Sequence, residues 1–217
     1  MGEKQKRLEG LLGKVGSVTS GSLGKPSKSD IASSPYAEDV EHTYRLLGGV
    51  LPSFPLNLRR WDFEFENIAI ELDEQIHFNR YRGVTLESKI YRNLPAFPLD
   101  AYRAYCARYE TQCIRAGSYG GKWSNKSCEK QFSVASPPKD LSGNGASRWK
   151  QRAFYDFVKD LSPLVIDVSL VRVAIWDSVE DGSVTRTVGD VLSAPSVTSA
   201  EALADIICQR NPRRITD

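Results

Sequence analysis

The spacing of apolar positions changes period several times along the chain, and each change marks an element. Residues 1 to 35 show no sustained period. They are rich in Gly, Ser and Lys, poor in aromatics, and end in GKPSKSDIASSP, which predicts a flexible basic tail, with a short helix around KQKRLEGLLGKV as the alternative. After Pro35 the stretch YAEDVEHTYRLLGGV places Val40, Tyr44, Leu46 and Leu47 near helical spacing and stops at Gly48-Gly49, predicting a helix. From Pro55 the period shortens to two. Leu56, Leu58, Phe63 and Phe65 alternate with polar partners, then Ile68, Ile70 and Leu72 do the same, predicting two strands joined near Glu66-Asn67.

Further on, DAYRAYCARYETQCIRAG (100 to 117) sets Tyr102, Tyr105, Tyr109 and Cys113 at helical spacing, a core stripe. ASRWKQRAFYDFVKDL (146 to 161) predicts another long helix, with Trp149, Phe154, Phe157, Val158 and Leu161 near one side. DVSLVRVAIWD (167 to 177) is strand-like, and Thr198 to Glu201 has the form of a capping box opening a C-terminal helix. Residues 117 to 145 carry Gly, Ser, Asn and Pro repeatedly and are expected to form a long loop. The whole predicts a mixed α/β domain over 36 to 217 behind the tail.

Composition narrows this picture only slightly. A net charge of +2 requires any nucleic-acid partner to meet a local basic face. There is no run of about 18 apolar residues and no apolar stretch of the kind a secretory leader needs, so the expectation is a soluble, cytoplasmic protein. Cys106, Cys113, Cys128 and Cys208 form no C-x-x-C, and only His42 and His77 are available to complete a zinc cage, so free thiols are expected.

The hairpin carries the candidate chemistry. Six carboxylates, Asp62, Glu64, Glu66, Glu71, Asp73 and Glu74, fall within thirteen residues of otherwise strand-like sequence. With a two-residue turn at Glu66-Asn67, Phe65 pairs with Ile68, Glu64 with Ala69 and Phe63 with Ile70, so that Asp62 lies opposite Glu71, with carboxylates roughly 5 Å apart on one face. A loop longer by two would place Asp62 opposite Asp73 instead. Like charges so placed destabilise the sheet and raise a pKa unless a cation neutralises them, and Mg²⁺ (or Mn²⁺) with oxygen ligands does so. The bland alternative is that Arg59, Arg60 or a distant lysine covers these acids on a solvated face.

Asp62-Phe63, then Ile70-Glu71-Leu72-Asp73, then His77 resembles the core of PD-(D/E)xK nucleases, in the branch similar to very-short-patch-repair endonucleases. FNRYRGVTLESKIYR is similar to that branch's next segment, and the likeness spans about residues 37 to 110, with Val168 to Trp176 as a later strand. The resemblance implies a restriction-endonuclease-like αβββαβ core with a central mixed sheet. It also implies a metal-dependent DNA endonuclease of repair or host defence, with Asp62, Glu71 and Asp73 on the metal and His77 as general base or proton donor. Two positions depart from the pattern: Asp73 stands where the usual lysine follows the second acid, and Glu74 stands where a glycine is frequent. The family includes members whose lysine is replaced or displaced. Glu41 (or Glu38) on the preceding helix is a candidate supporting contact, or simply a solvated glutamate.

For the substrate, Arg80 and Arg82 follow the site, and Arg148, Lys150 and Arg152 flank Trp149. Such side chains grip phosphates and an aromatic stacks on a base, or else RWKQR is a solvated basic face with Trp149 in the core. The competing function is a catalytically silent nuclease-like fold that binds nucleic acid or protein. A different phosphoester hydrolase is a weaker third reading. No P-loop, GxGxxG, HExxH or GxSxG supports other common chemistries.

Overall fold

A computed structural model describes residues 2–211 of the protein. The first 35 residues are not a tail. Helix α1 (Glu3–Leu12) carries Leu8, Leu11 and Leu12 at i, i+3 and i+4, and all three are buried in a core cluster with Phe63, Phe65 and Ile70. The alternative reading, a short helix around KQKRLEGLLGKV, is the one that forms, and its leucine stripe suffices to dock one helical face. Strand β1 (Val18–Thr19) then pairs antiparallel with β2 (Phe63–Phe65), and α2 (Lys28–Ala32) opens with a reciprocal Ser27–Asp30 cap.

Helix α3 (Ala37–Leu46) follows, and Gly48 leaves it at φ +84°. Strands β2 and β3 (Ile68–Asp73) form the expected hairpin in the expected register, Phe65 with Ile68, Glu64 with Ala69 and Phe63 with Ile70. Glu66 and Asn67 both take positive φ, 49° and 62°, as a two-residue hairpin turn of this hand requires. Glu66 tolerates that place with help from its partners: its Oε1 accepts from the Ser17 amide at 2.5 Å, tying the turn to the segment before β1.

A long crossover then carries α4 (Arg80–Leu86), α5 (Leu99–Arg108), α6 (Glu110–Gly117), α7 (Lys126–Phe132), α8 (Ser147–Asp160) and α9 (Ser162–Val165) before β4 (Leu170–Ala174), which lies parallel to β3. Residues 100 to 117 are therefore two helices, broken at Tyr109, whose ring stacks on Trp176 with centroids 4.0 Å apart. Nor are residues 117 to 145 a plain loop. They contain α7 and bury Trp123 and Phe132. The chain closes with a hairpin of β5 (Ser178–Asp181) and β6 (Val184–Thr187), then α10 (Val188–Ser193) and α11 (Ser199–Gln209). Thr198 precedes α11 without capping it; its hydroxyl donates to Asp181 Oδ1 instead.

The main sheet runs β1-β2-β3-β4, antiparallel through β3 and parallel at β4. In chain order α2 and α3 separate β1 from the β2–β3 hairpin, and the crossover helices separate the hairpin from β4, giving a central mixed sheet flanked by helices. Alternation sends Phe63, Phe65, Ile68, Ile70 and Leu72 into the core shared with α1, α10 and α11. The opposite face, bearing Glu71, Asp73 and Arg172, is covered by α8. All four cysteines are free and three are buried, and no described helix is long and apolar enough to cross a membrane.

Candidate active site

The six carboxylates of the hairpin have separable fates. Glu64 anchors the segment after β1, accepting from Thr19 Oγ1 at 3.0 Å and from the amides of Ser22 and Leu23 at 2.8 Å each. Glu66 holds Ser17, and Glu74 faces Lys4 at 3.7 Å. Asp73 is taken up wholly inside the protein. Its oxygens accept from Arg172 Nη1 at 2.8 and 3.0 Å, and Tyr102 donates to Oδ2 at 2.9 Å. Asp62 and Glu71 remain, and both line one cleft of about 360 Å³.

At this pair the bond network is left open. Asp62 Oδ2 accepts from the Leu72 amide at 2.9 Å, and Glu71 Oε1 accepts from Lys159 Nζ at 2.5 Å. Asp62 Oδ1 and Glu71 Oε2 have no partner among the described residues. Burial pushes the Glu71 carboxyl up to about 7 despite the Lys159 and Arg172 charges, and Asp62 adds to the rise; burial likewise raises Asp62. Two acids face one ammonium at this pair, while Arg59, Arg60 and Arg152 line the same cleft. Each acid could offer one free carboxylate oxygen to a divalent ion that favours oxygen, inside a cleft with room for water. Asp73, expected as a third ligand, does not fit, because Arg172 and Tyr102 already occupy its oxygens.

Behind the cleft lies a buried charge network. Arg172, on β4 opposite Glu71, bonds Asp73, donates to Asp160 through Nε, and reaches the Asp156 carbonyl at 3.0 Å. Asp160 also accepts from Arg82 and from Tyr91, each at 2.6 Å. His77 Nδ1 lies 2.8 Å from Asp156 Oδ2 and 3.2 Å from Asp73 Oδ1. Burial alone would lower the His77 pKa, but Asp156 and Asp73 more than offset it and hold it above the ordinary value. Three carboxylates (Asp73, Asp156, Asp160) thus face two guanidinium groups and the His77 imidazole. Asp73, His77 and Asp156 bring ligand atoms within 4.8 Å of one another, a spacing compatible with a metal, but hydrogen bonds and Arg172 already satisfy them. His77 lines the cleft with Nδ1 held, and its Nε2 has no hydrogen-bond partner among the described residues.

Several expected contacts lie elsewhere. Arg82 is buried in the network just described, and Lys150 is buried with Nζ 2.6 Å from Asn144 Oδ1 and over the Tyr81 ring. Arg148 bonds Gln151, Trp149 is in the core, and Arg80 forms a two-pronged pair with Glu110 at 2.9 and 2.7 Å. Glu41 pairs with Arg45 on α3, away from the cleft. Arg152 alone of that set lines the cleft. Lys159 is a distant lysine of the kind the alternative reading invoked, although it is buried and not on a solvated face, while Asp156 and Arg172 have no counterpart among the sequence candidates. Residues 152, 156, 159 and 160 do share one face of α8, but a polar helical stripe ordinarily marks the solvent side.

A second cavity, of about 210 Å³, is walled by Pro95, Phe97, Pro98, Leu164 and Leu170. Asp160 and Arg172 on its floor are bonded to each other, so it offers far less open chemistry than the cleft.

The molecule is thus a mixed α/β protein in which a carboxylate pair from the central hairpin meets a lysine from α8 in a polar cleft. The chain belongs to a family of unknown function (DUF7255), whose model matches residues 42–194, a span that includes Asp62, Glu71, His77, Arg152, Lys159 and Arg172. No curated protein and no solved structure matches it.

Proposed function

We propose that the protein is a metal-dependent nuclease that hydrolyses phosphodiester bonds, with DNA as substrate in repair or host defence. The observation that supports this most is the approach of Lys159 to Glu71 beside Asp62. The residue type missing after the second acid is supplied from α8, at 2.5 Å. Asp62 Oδ1 and Glu71 Oε2 would hold Mg²⁺ or Mn²⁺. Such an ion would lower the pKa of a water that attacks phosphorus and would offset the charge on the phosphoryl oxygens. Lys159 stands where it can orient the attacking oxygen and stabilise that charge. His77, whose pKa Asp156 and Asp73 raise, suits the role of acid toward the leaving oxygen through Nε2 better than that of base. Asp73 acts here as a positioning residue for His77 and Arg172. A cytoplasmic setting belongs to this reading, since free, mostly buried thiols suit a reducing compartment.

The test is metal-dependent cutting of plasmid, linear duplex, single-stranded DNA and RNA, with Mg²⁺, Mn²⁺ or EDTA. Cleavage must be lost in Asp62→Ala, Glu71→Ala and Lys159→Ala; cleavage that persists in all three would place the chemistry elsewhere. One observation favours a silent binding fold instead: Lys159 already neutralises Glu71. On that reading Mg²⁺ adds no thermal stability and nothing is cut.

A further inference from the structure

Most buried or half-buried arginines of this protein sit on carboxylates: Arg82 on Asp160, Arg172 on Asp73, Arg186 on Asp181 and Arg210 on Asp177. Three that line the cleft do not. Arg59 and Arg60 are exposed on its rim, with no carboxylate bonded to their side chains among the described residues. Arg152 is deeper, and its Nη1 is buried with no hydrogen-bond partner. A buried guanidinium nitrogen left unpaired costs about 1–3 kcal/mol or more, so a fold that keeps one beside an open cleft has a place for an anion there.

Charge sets the sign of that ligand. Glu71 is matched by Lys159, and Glu74 pairs with Lys4 from outside the cleft. Asp156 is shared between His77 and the field of Arg152, so Arg59 and Arg60 stand against Asp62 and leave positive charge in excess before any metal binds. Guanidinium forks match phosphate oxygens in both geometry and charge.

Building on the nuclease reading of this cleft, we infer that Arg152, Arg59 and Arg60 form a phosphate-binding track that grips two consecutive phosphates of one nucleic-acid strand, with Arg152 on the phosphate nearer the carboxylate pair. Leu58 and Tyr155 add uncharged wall to the same cleft.

The test needs no turnover. In EDTA, fluorescent single-stranded DNA and RNA oligonucleotides are titrated across a salt series with wild type, Arg152→Gln, Arg152→Lys, the double variant Arg59→Gln/Arg60→Gln, and Arg115→Gln as a control at an exposed arginine on α6. Arg152→Gln is expected to weaken binding about tenfold or more and to flatten the slope of log K against log salt by about 0.7, one phosphate contact on a single strand. Arg152→Lys restores the slope, the rim double variant flattens it further, and Arg115→Gln leaves it unchanged. A 5′-phosphorylated dinucleotide should compete better than a nucleoside monophosphate.

No binding by wild type, or wild-type slopes in both Arg152→Gln and the rim variant, overturns the inference. Equal competition by mononucleotide and dinucleotide overturns its two-phosphate form. The exposed rim pair decides the matter even where Arg152→Gln fails to fold. Failure of the nuclease reading looks different: slopes respond as expected, but no strand is cut with any metal.

Discussion

Lys159 Nζ and Glu71 Oε1 meet at 2.5 Å although 88 residues separate them in sequence, and both side chains are buried. Lys159 also lies over the Trp61 ring, 5.1 Å from its centroid, so its ammonium has little water to fall back on. A buried pair of this kind contributes little net stability when intact but costs a great deal when halved. Lys159→Met should destabilise the metal-free protein by about 3 kcal/mol at pH 8. Combining it with Glu71→Gln should recover most of the loss, since no charge is then stranded. Urea unfolding of the single and double variants measures both, and a Lys159→Met protein as stable as wild type at pH 8 would show that the pair is uncoupled.

Proton binding at Glu71 competes with metal binding. Its carboxyl is raised from the ordinary 4.5 to about 7, so the folded state holds this proton more tightly than the unfolded chain does. Stability of the metal-free protein should therefore decline as pH rises from 4.5 toward 7, the interval in which folded Glu71 must be stripped of a proton. Mg²⁺ affinity should run the other way, weakening about tenfold for each pH unit below 7 and levelling off above it. Thermal shift with and without Mg²⁺ between pH 5.5 and 8.5 checks both trends. A pH-independent Mg²⁺ effect would remove Glu71 from the ligand set.

His77 provides an independent check on the network behind the cleft. Asp156 and Asp73 hold its pKa above the ordinary 6.5, so their contribution to stability is full below 6.5 and is lost as pH rises through the folded value. Asp156→Asn removes the nearer carboxylate and should lower the His77 pKa. It should also shrink the part of the stability that disappears above neutrality. Imidazole proton resonances followed across pH report the pKa directly. An unmoved His77 titration would mean that the 2.8 Å contact to Asp156 carries no charge.

The parts of the fold that local chemistry dictates were legible in the sequence. Period-two alternation and a residue tolerant of positive φ at Asn67 fix the hairpin register, and register alone places Asp62 beside Glu71 on the face away from Phe63 and Ile70. The stripe of Tyr102, Tyr105 and Tyr109 packs as spacing predicts, with Tyr102 fully buried. What failed depended on distant partners. Asp73 looks like a ligand from its neighbours in sequence, yet its environment is set by Arg172, 99 residues away. Lys159 and Asp156 sit on a polar helical stripe that resembles a solvent face until β3 is laid against it. Arg82 and Lys150 look like phosphate contacts for the same reason, because charge in sequence carries no sign of burial. The tail assignment failed through averaging, since three leucines at helical spacing outweigh the Gly, Ser and Lys around them once a sheet face is there to receive them.

That N-terminal helix should therefore be structural. Leu8 and Leu12 are wholly buried against the strand residues, and Gln5 Nε2 donates to the Asp62 carbonyl at 2.8 Å, so α1 supports both the core and the first carboxylate of the site. Leu8→Ala should cost about 2–5 kcal/mol, the range for a leucine truncated in a packed interior. Deleting residues 1 to 13 should yield a protein that aggregates or shows no cooperative unfolding. Gln5→Ala, by contrast, removes one half-buried hydrogen bond and should cost only about 1 kcal/mol, with any larger effect confined to metal affinity through Asp62. Thermal and urea unfolding of the three variants separates these cases. A truncated chain that unfolds cooperatively at the wild-type midpoint would return residues 1 to 13 to the status of a dispensable tail.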